Sequence, residues 1–200
     1  AKIHLRCRRV VLRKFIGATT FGHMVHCTAC ATMVPSMTKS IGLYIDGANL
    51  HKGSTELGYR IDYKKFRGWM WQKFGVTKAY LFLGLIPKRA KLYQYLQECG
   101  YILIFKETTT NAEGQVKGNC DAELVLKVVS DFYEHAFDGC VVVTGDGDFR
   151  CLVDFLVERK TPISIGAPNK NKCSILLKRT SVPILNLAEH YHKFSVKKDA

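Results

Sequence analysis

The chain has 200 residues, of which 47% are hydrophobic and 24% are charged, and this composition suffices for one domain with a hydrophobic core. No apolar run approaches the ~20 residues of a membrane-spanning helix, which argues against a helical membrane protein. The formal net charge of +13 favours a polyanionic partner, such as nucleic acid or an anionic membrane surface.

Residues 1–36 differ in composition from the rest of the chain. They hold six basic residues and no acid, so +6 of the net charge of +13 lies there, and they show no helical or strand period. We expect Met37 to be the natural start, with residues 1–36 as a non-native extension. An organelle transit peptide and a disordered basic tail that binds phosphates are the alternatives. The domain is therefore predicted to cover residues 37–200.

The cysteines predict a reducing compartment. Cys27 and Cys30 are spaced like zinc ligands, with His23 and His26 nearby, but a zinc site usually needs two such pairs, so we favour no zinc site here. Other cysteines lie in or beside apolar stretches: Cys99, Cys120, Cys140, Cys151 and Cys173. These are predicted to be reduced, mostly buried thiols of a cytosolic protein, so we expect a cytoplasmic location.

Strands and helices alternate after Met37. Short apolar runs predict five strands and a last extended piece: Ile41–Asp46, Thr77–Leu85, Tyr101–Lys106, Cys140–Thr144, Pro162–Gly166 and Pro183–Leu187. Helices are predicted between them: Tyr63–Phe74, Lys88–Cys99 after Pro87, one capped by Asn119 and running to about His135, Phe149–Arg159 and Lys172–Arg179. Gly47, Ala48 and Asn49 end the first strand, and Thr108–Gly118 is predicted as a loop.

This alternation predicts the fold class. The strands are continuous apolar runs, which is typical of strands that are buried on both faces of a sheet. We therefore predict an α/β fold: a three-layer sandwich with a mostly parallel central sheet.

Four aspartates are predicted to meet at one edge of that sheet. Asp46 ends the first strand, and Asp146 and Asp148 follow the fourth, so the parallel arrangement places them at the same edge. Asp121 lies in the first turn of a helix, on the same face as Leu124, and a covering helix begins above that edge.

Each acid also has a plain structural explanation. Asp46 and Asp146 precede glycines and are typical of turns, Asp121 suits a helix N-terminus, and Asp148 could cap the next helix. Four carboxylates at one edge would nevertheless raise each other's pKa unless a divalent cation lay between them. Because all are hard oxygen ligands, the set favours Mg²⁺ or Mn²⁺ over zinc.

Three motifs make the prediction more specific. They are IDGAN at residues 45–49, KGNCD at residues 117–121 and TGDGDF at residues 144–149. In this order and on these elements they resemble the NYN domain, the branch of the PIN-like nuclease superfamily that includes the LabA/DUF88 proteins. The resemblance covers about Ile41 to Leu187.

The resemblance implies roles for individual residues. Asp46, Asp121, Asp146 and Asp148 would be the catalytic, metal-binding acids. Asn49 and Thr144 would be their polar partners, and Lys117 would contact a substrate phosphate. The implied activity is Mg²⁺- or Mn²⁺-dependent hydrolysis of RNA, single-stranded or structured, with a homodimer as a further option.

Further residues could contact RNA, and two other functions are compatible with the sequence. Basic residues could follow an RNA backbone: Lys52, Lys88, Arg89, Lys91, Lys170 and Lys172. Tyr59 and Trp71 could stack on bases, whereas Trp69 is predicted to be core. One rival function is an RNA-binding regulatory module with negligible turnover. Another is a phosphotransfer or receiver-like domain phosphorylated on Asp46, and the alanine at position 48 weakens that reading.

Overall fold

A computed structural model describes residues 39–107 and 120–196, together with the backbone of residues 109–110 and 116–117. Its strands are β1 (Ile41–Asp46), β2 (Val76–Gly84), β3 (Ile102–Lys106), β4 (Thr109–Thr110), β5 (Val116–Lys117), β6 (Gly139–Val143), β7 (Ile163–Ala167) and β8 (Ile184–Asn186). Six of them form one sheet in the order β3-β2-β1-β6-β7-β8, with every neighbouring pair parallel. The other two, β4 and β5, pair antiparallel with each other.

Helices cover both faces of the sheet. They are α1 (Gly47–Glu56), α2 (Tyr63–Phe74), α3 (Ala90–Glu98), α4 (Asp121–Tyr133), α5 (Arg150–Glu158), α6 (Ile175–Lys178) and α7 (Tyr191–Phe194). Short 3₁₀ turns lie at Pro87–Arg89, Gly147–Phe149, Lys170–Lys172 and Leu187–His190. The predicted α/β fold with a parallel central sheet is confirmed.

Alternate side chains of the strands fill two separate cores. On β1, Leu43 and Ile45 belong to the core with α1, α2 and α7, whereas Tyr44 belongs to the core with α4 and α5. This follows from the two-residue period of a strand, in which neighbouring side chains point to opposite faces. The sequence pattern therefore produces three layers, with apolar contacts above and below the sheet.

Most predicted elements lie within two residues of the observed ones, and β1 and α2 agree at both ends. The pattern did not predict α1, which begins at Gly47 where only the end of a strand was expected. α1 contains two glycines and only one large buried apolar residue, Leu50, so it carries almost no helical periodicity. It forms because Asp46 caps it and because its glycines allow close packing.

Other expectations need correction. The predicted loop at Thr108–Gly118 contains β4 and β5, since neither two-residue strand has a detectable period. The residue that precedes α4 is Cys120, which makes no side-chain capping bond, so the predicted Asn119 cap is shifted by one residue. The side chain of Asn119 lies outside the described residues.

The cysteine prediction holds in part. Cys140 and Cys173 are buried, Cys99 and Cys120 are half-buried, and none of the four forms a disulfide within the described residues. Cys151 is exposed because it lies on the outer face of α5, contrary to the expected burial. The zinc-spaced Cys27 and Cys30, like all of residues 1–36, lie outside the described residues. Within the described part of the chain, no helix is both long and apolar enough to cross a membrane.

Candidate metal centre

The strand order locates the functional edge of the sheet. From β1 the chain first builds outward through β2 and β3, and it later returns to place β6, β7 and β8 on the other side of β1. β1 and β6 are adjacent and parallel, with Ile45 opposite Val143, so both end at the same edge. Ligands of open α/β folds bind where the strand order reverses in this way.

Asp46, the last residue of β1, is held by two hydrogen bonds. Its Oδ1 accepts from the backbone N–H of Asn49 at 3.0 Å, which caps the N-terminus of α1. Its Oδ2 accepts from the hydroxyl of Thr144 at 3.4 Å. Asp46, which the sequence predicts as a turn residue, therefore caps a helix. This capping contact holds its carboxylate at the sheet edge.

The turn after β6 is fixed by the two predicted polar partners. The backbone N–H of Gly145 donates to Asn49 Oδ1 at 2.9 Å, and the N–H of Asp146 donates to Thr144 Oγ1 at 3.1 Å. Asp146 Oδ1 then accepts from the N–H of Asp148 at 3.1 Å and caps the 3₁₀ turn. Asp148 lies inside that turn, so the alternative that it caps α5 is wrong.

Three carboxylates come together at this edge. Asp121 is the first residue of α4, and its oxygen lies with oxygens of Asp146 and Asp148 in a group whose members are all within 4.8 Å of one another. Asp121 is half-buried and Asp148 is exposed, so the cluster faces solvent on one side. The structure thus brings Asp121 together with two acids that follow it by 25 and 27 residues in the sequence.

Asp46 lies beside this group but is not one of its three members. Its pKa is raised to about 6, chiefly by burial and also by the charges of Asp121 and Asp146, against the lowering effect of the Asn49 and Thr144 hydrogen bonds. The acids are therefore close enough for their charges to interact. A positive charge among them would favour the ionised form of Asp46.

The donor set fits a hard divalent cation. All three clustered ligands are carboxylate oxygens, which Mg²⁺ and Mn²⁺ prefer, and no cysteine or histidine belongs to the described cluster. At Mg²⁺–oxygen distances of about 2.0–2.1 Å, two ligand oxygens lie at most about 4.2 Å apart. Small side-chain rotations would bring the three oxygens from their present spacing to a single ion.

Other predicted residues have mixed outcomes. Lys117 lies in β5, and its side chain is outside the described part of the chain. Trp69 packs on Phe66 and Phe194, as expected for a core residue, whereas Trp71 is 61% exposed on α2. Tyr59 is partly exposed and lies in a cleft that begins at Asp46.

One ion pair near the edge was not predicted from the sequence. Lys106 ends β3 and its ammonium lies 3.2 Å from the carboxylate of Glu123, in the first turn of α4. The rule that located Asp46, a charged residue at the end of a strand, would also have identified Lys106.

These features define a parallel α/β domain with an acidic cluster at its topological switch point. The NYN domain profile matches residues 40–183, so the chain belongs to the NYN domain family, a PIN-like nuclease family. This match confirms the predicted resemblance. Its range, residues 40–183, nearly coincides with the predicted range of about Ile41 to Leu187.

A solved structure supports the fold independently. A protein of unknown function from Vibrio parahaemolyticus RIMD 2210633 superimposes with a TM-score of 0.67 at 20% identity, over 82% of this chain and 100% of that chain. At this identity the likeness concerns the fold alone. No curated protein matches the chain.

Proposed function

We propose that this protein is a metal-dependent ribonuclease that hydrolyses phosphodiester bonds of RNA, with Mg²⁺ or Mn²⁺ held by the aspartate cluster. The observation that carries the proposal is the approach of Asp121, Asp146 and Asp148 to within 4.8 Å at the switch point of the sheet. Membership of a family that consists mainly of nucleases supports the reaction type. The net charge of +13 supports a polyanionic substrate.

Each residue at the edge has a proposed task. Asp121, Asp146 and Asp148 would hold the cation, with Asp46 beside them as a further ligand. When bound, a divalent cation supplies charge stabilisation at the phosphate and lowers the pKa of a coordinated water. The Asn49 and Thr144 hydrogen bonds keep the turn after β6 in register with β1, so that Asp46 and Asp146 stay on the same side.

The rival phosphotransfer function has less support. Phosphatases with a nucleophilic aspartate at the end of the first strand carry a second aspartate two residues later, whereas the residue two positions after Asp46 is Ala48. Five cysteines of the described residues form no disulfide there, which supports the further proposal of a reducing, cytoplasmic location.

The decisive experiment is single-turnover cleavage of labelled RNA with Mn²⁺, comparing wild type with Asp146→Asn. We expect at least a hundredfold slower cleavage, because the variant loses an ionised ligand from the cluster. Asp154→Asn is the matched control. Asp154 lies on α5, where it is 45% exposed and paired with Arg150, so this variant should cleave RNA at the wild-type rate. If wild type shows no cleavage while RNA still binds, the chain is the regulatory RNA-binding module instead.

A further inference from the structure

A cleft lies beside the acidic edge. Its volume is about 930 Å³, and it begins at Asp46 and the N-terminus of α1. The walls are α1 with the segment that follows it, and the turn and helix that contain Arg89 and Tyr95; the end of β2 forms the floor. This volume is at the upper end of the range of about 300–1,000 Å³ that encloses a drug-sized molecule. It is therefore larger than a single base requires.

One helical stripe gives the cleft its chemistry. Arg89, Leu92 and Tyr95 are spaced three residues apart, line the cleft together and are all exposed. Tyr95 is 40% exposed, and no ring packs on it among the described residues. Tyr59, across the cleft, already has Tyr191 on one face at 4.7 Å between centroids. Tyr95 therefore offers the more accessible aromatic surface.

Two cations lie in the same cleft. Arg60 and Arg89 are exposed, and within the described part of the chain neither guanidinium has a hydrogen bond or ion pair. An uncommitted guanidinium and an exposed aromatic ring in one cleft match the chemistry of a nucleotide, which presents a phosphate and a flat base. Two acids also line the cleft: Asp46 belongs to the acidic edge, and Asp62 is paired with Lys65 at 3.4 Å, so the two arginines are the charges left for a phosphate.

We propose that this cleft binds unpaired nucleotides of the RNA substrate adjacent to the scissile phosphate, with a base stacked on Tyr95 and a phosphate held by Arg89. The proposal rests on the proposed function, because it takes the acidic edge beside Asp46 as the cleavage site. The strand must be unpaired here, since the bases of a duplex are stacked on each other and cannot reach an aromatic side chain. Tyr95 and Arg89 would then be specificity-determining residues.

The test measures RNA binding by fluorescence anisotropy in buffer without divalent ions, so that it does not depend on cleavage. Wild type should bind a short unpaired RNA more tightly than the same sequence in a duplex. Tyr95→Ala should lose roughly five- to hundredfold in affinity for the unpaired RNA, the usual effect of one base stack, and little for the duplex. Tyr95→Phe should retain the affinity because it keeps the ring. Tyr133→Ala, which removes a 62% exposed tyrosine on α4 that does not line the cleft, is the matched control.

Arg89→Gln tests the phosphate contact separately. It should weaken binding and make the slope of log K against log salt shallower by about 0.7, the value for one phosphate of a single strand. Tyr95→Ala should leave that slope unchanged, since stacking releases no counterions.

A strand with abasic sites keeps the proposal testable even if a variant does not fold. Wild type should bind it at least fivefold more weakly than the intact strand, because the phosphates remain and only the stacking is lost. Equal affinity for intact and abasic strands, or equal losses on unpaired and duplex RNA with Tyr95→Ala, would overturn the proposal. A different result would show that the nuclease proposal alone is wrong: these differences in RNA binding would persist, but wild type would not cleave RNA.

Discussion

The side chain of Asp46 has two roles, because it caps α1 and also adds a carboxylate beside the acidic cluster. Its Oδ1 satisfies a backbone donor at the start of α1, while burial and the neighbouring charges of Asp121 and Asp146 make its ionised form unfavourable. The same contact that ends β1 and begins α1 therefore also places a carboxylate of raised pKa at the sheet edge. Such conflicts between stability and charge are typical of functional sites.

The raised pKa of Asp46 predicts a pH-dependent stability. Its folded pKa of about 6 exceeds the ordinary 3.8, so the folded state binds the proton more tightly. The free energy of unfolding should therefore fall as pH rises through about 4 to 6, in metal-free buffer. Asp46→Asn should remove this dependence and, near pH 7.5, stabilise the chain by about 2–3 kcal/mol, while its amide oxygen still caps α1. Urea melts with EDTA at several pH values measure both effects.

Mn²⁺ provides the control for that prediction. Wild type should gain stability with added Mn²⁺, because binding to the folded state alone shifts the unfolding equilibrium. Asp46→Asn should gain clearly less, since it lacks a charged ligand. Unfolding curves that respond neither to the substitution nor to Mn²⁺ would contradict the view that these acids share one cation.

A second buried acid serves stability alone. Asp131 is buried in α4, where it accepts hydrogen bonds from the hydroxyl of Tyr44 and the ammonium of Lys127, each at 2.7 Å. Asp131→Ala should cost about 3 kcal/mol, because it leaves the buried Tyr44 hydroxyl and the Lys127 charge without their partner. Tyr44→Phe should cost only about 1 kcal/mol, since the ion pair survives. Denaturant melts give both values, and equal costs would contradict the assignment.

At the scale of elements, α1 matters most because Asp46 caps it and because its residues form one wall of the cleft. It lies so close to the sheet that a Cβ on Gly47 would come within 2.5 Å of Leu83 and 2.6 Å of the carbonyl oxygen of Phe82. Farther along the helix, Gly53 lies equally close to Pro168. The two glycines thus set the distance between α1 and the rest of the edge, and with it the position of Asn49.

Gly47→Ala should therefore displace α1. We expect a loss of about 1–3 kcal/mol in stability from overpacking, together with slower RNA cleavage as Asp46 and Asn49 move. Gly68→Ala on α2 is the matched control, because nothing lies within 4 Å of its added Cβ. It should be neutral or stabilising by up to about 1 kcal/mol, since alanine favours a helix interior. Thermal melts and RNA cleavage rates of both variants test this prediction. Equal stability and equal cleavage rates for Gly47→Ala and Gly68→Ala would contradict the close packing of α1.

At the scale of the whole molecule, the net charge of +13 and the acidic cluster have opposite signs. A basic surface attracts RNA from any direction, whereas the acids repel phosphate until a cation neutralises them. RNA binding should consequently be favoured by charge overall and become productive only at the acidic edge.

Residues 37–200 alone should test the predicted domain boundary. Removing residues 1–36 lowers the net charge from +13 to +7, because six basic residues and no acid are lost. The shortened chain should fold with an unchanged melting temperature and cleave RNA with Mn²⁺, while its RNA affinity at low salt falls. A shortened chain that does not fold would show that the domain needs those residues.

The sequence by itself determined the layers of this protein and the order of its acids. Strand identity follows from continuous apolar runs, as in β1 and β6, and parallel pairing follows from the helices between them, so Asp46 and Asp146 could be placed at one edge. These patterns are local in the sequence, so they can be recognised without knowing how the elements pack.

Only the tertiary structure decided which groups touch. The 4.8 Å grouping of Asp121, Asp146 and Asp148, with Asp46 beside it rather than within it, depends on how far α4 and the turn after β6 reach over the edge. α1 forms because a cap and two glycines fit against other elements, and the cleft beside Tyr95 exists because α1 and α3 stand apart. Such distances arise between segments remote in the chain, so no periodicity in the sequence records them.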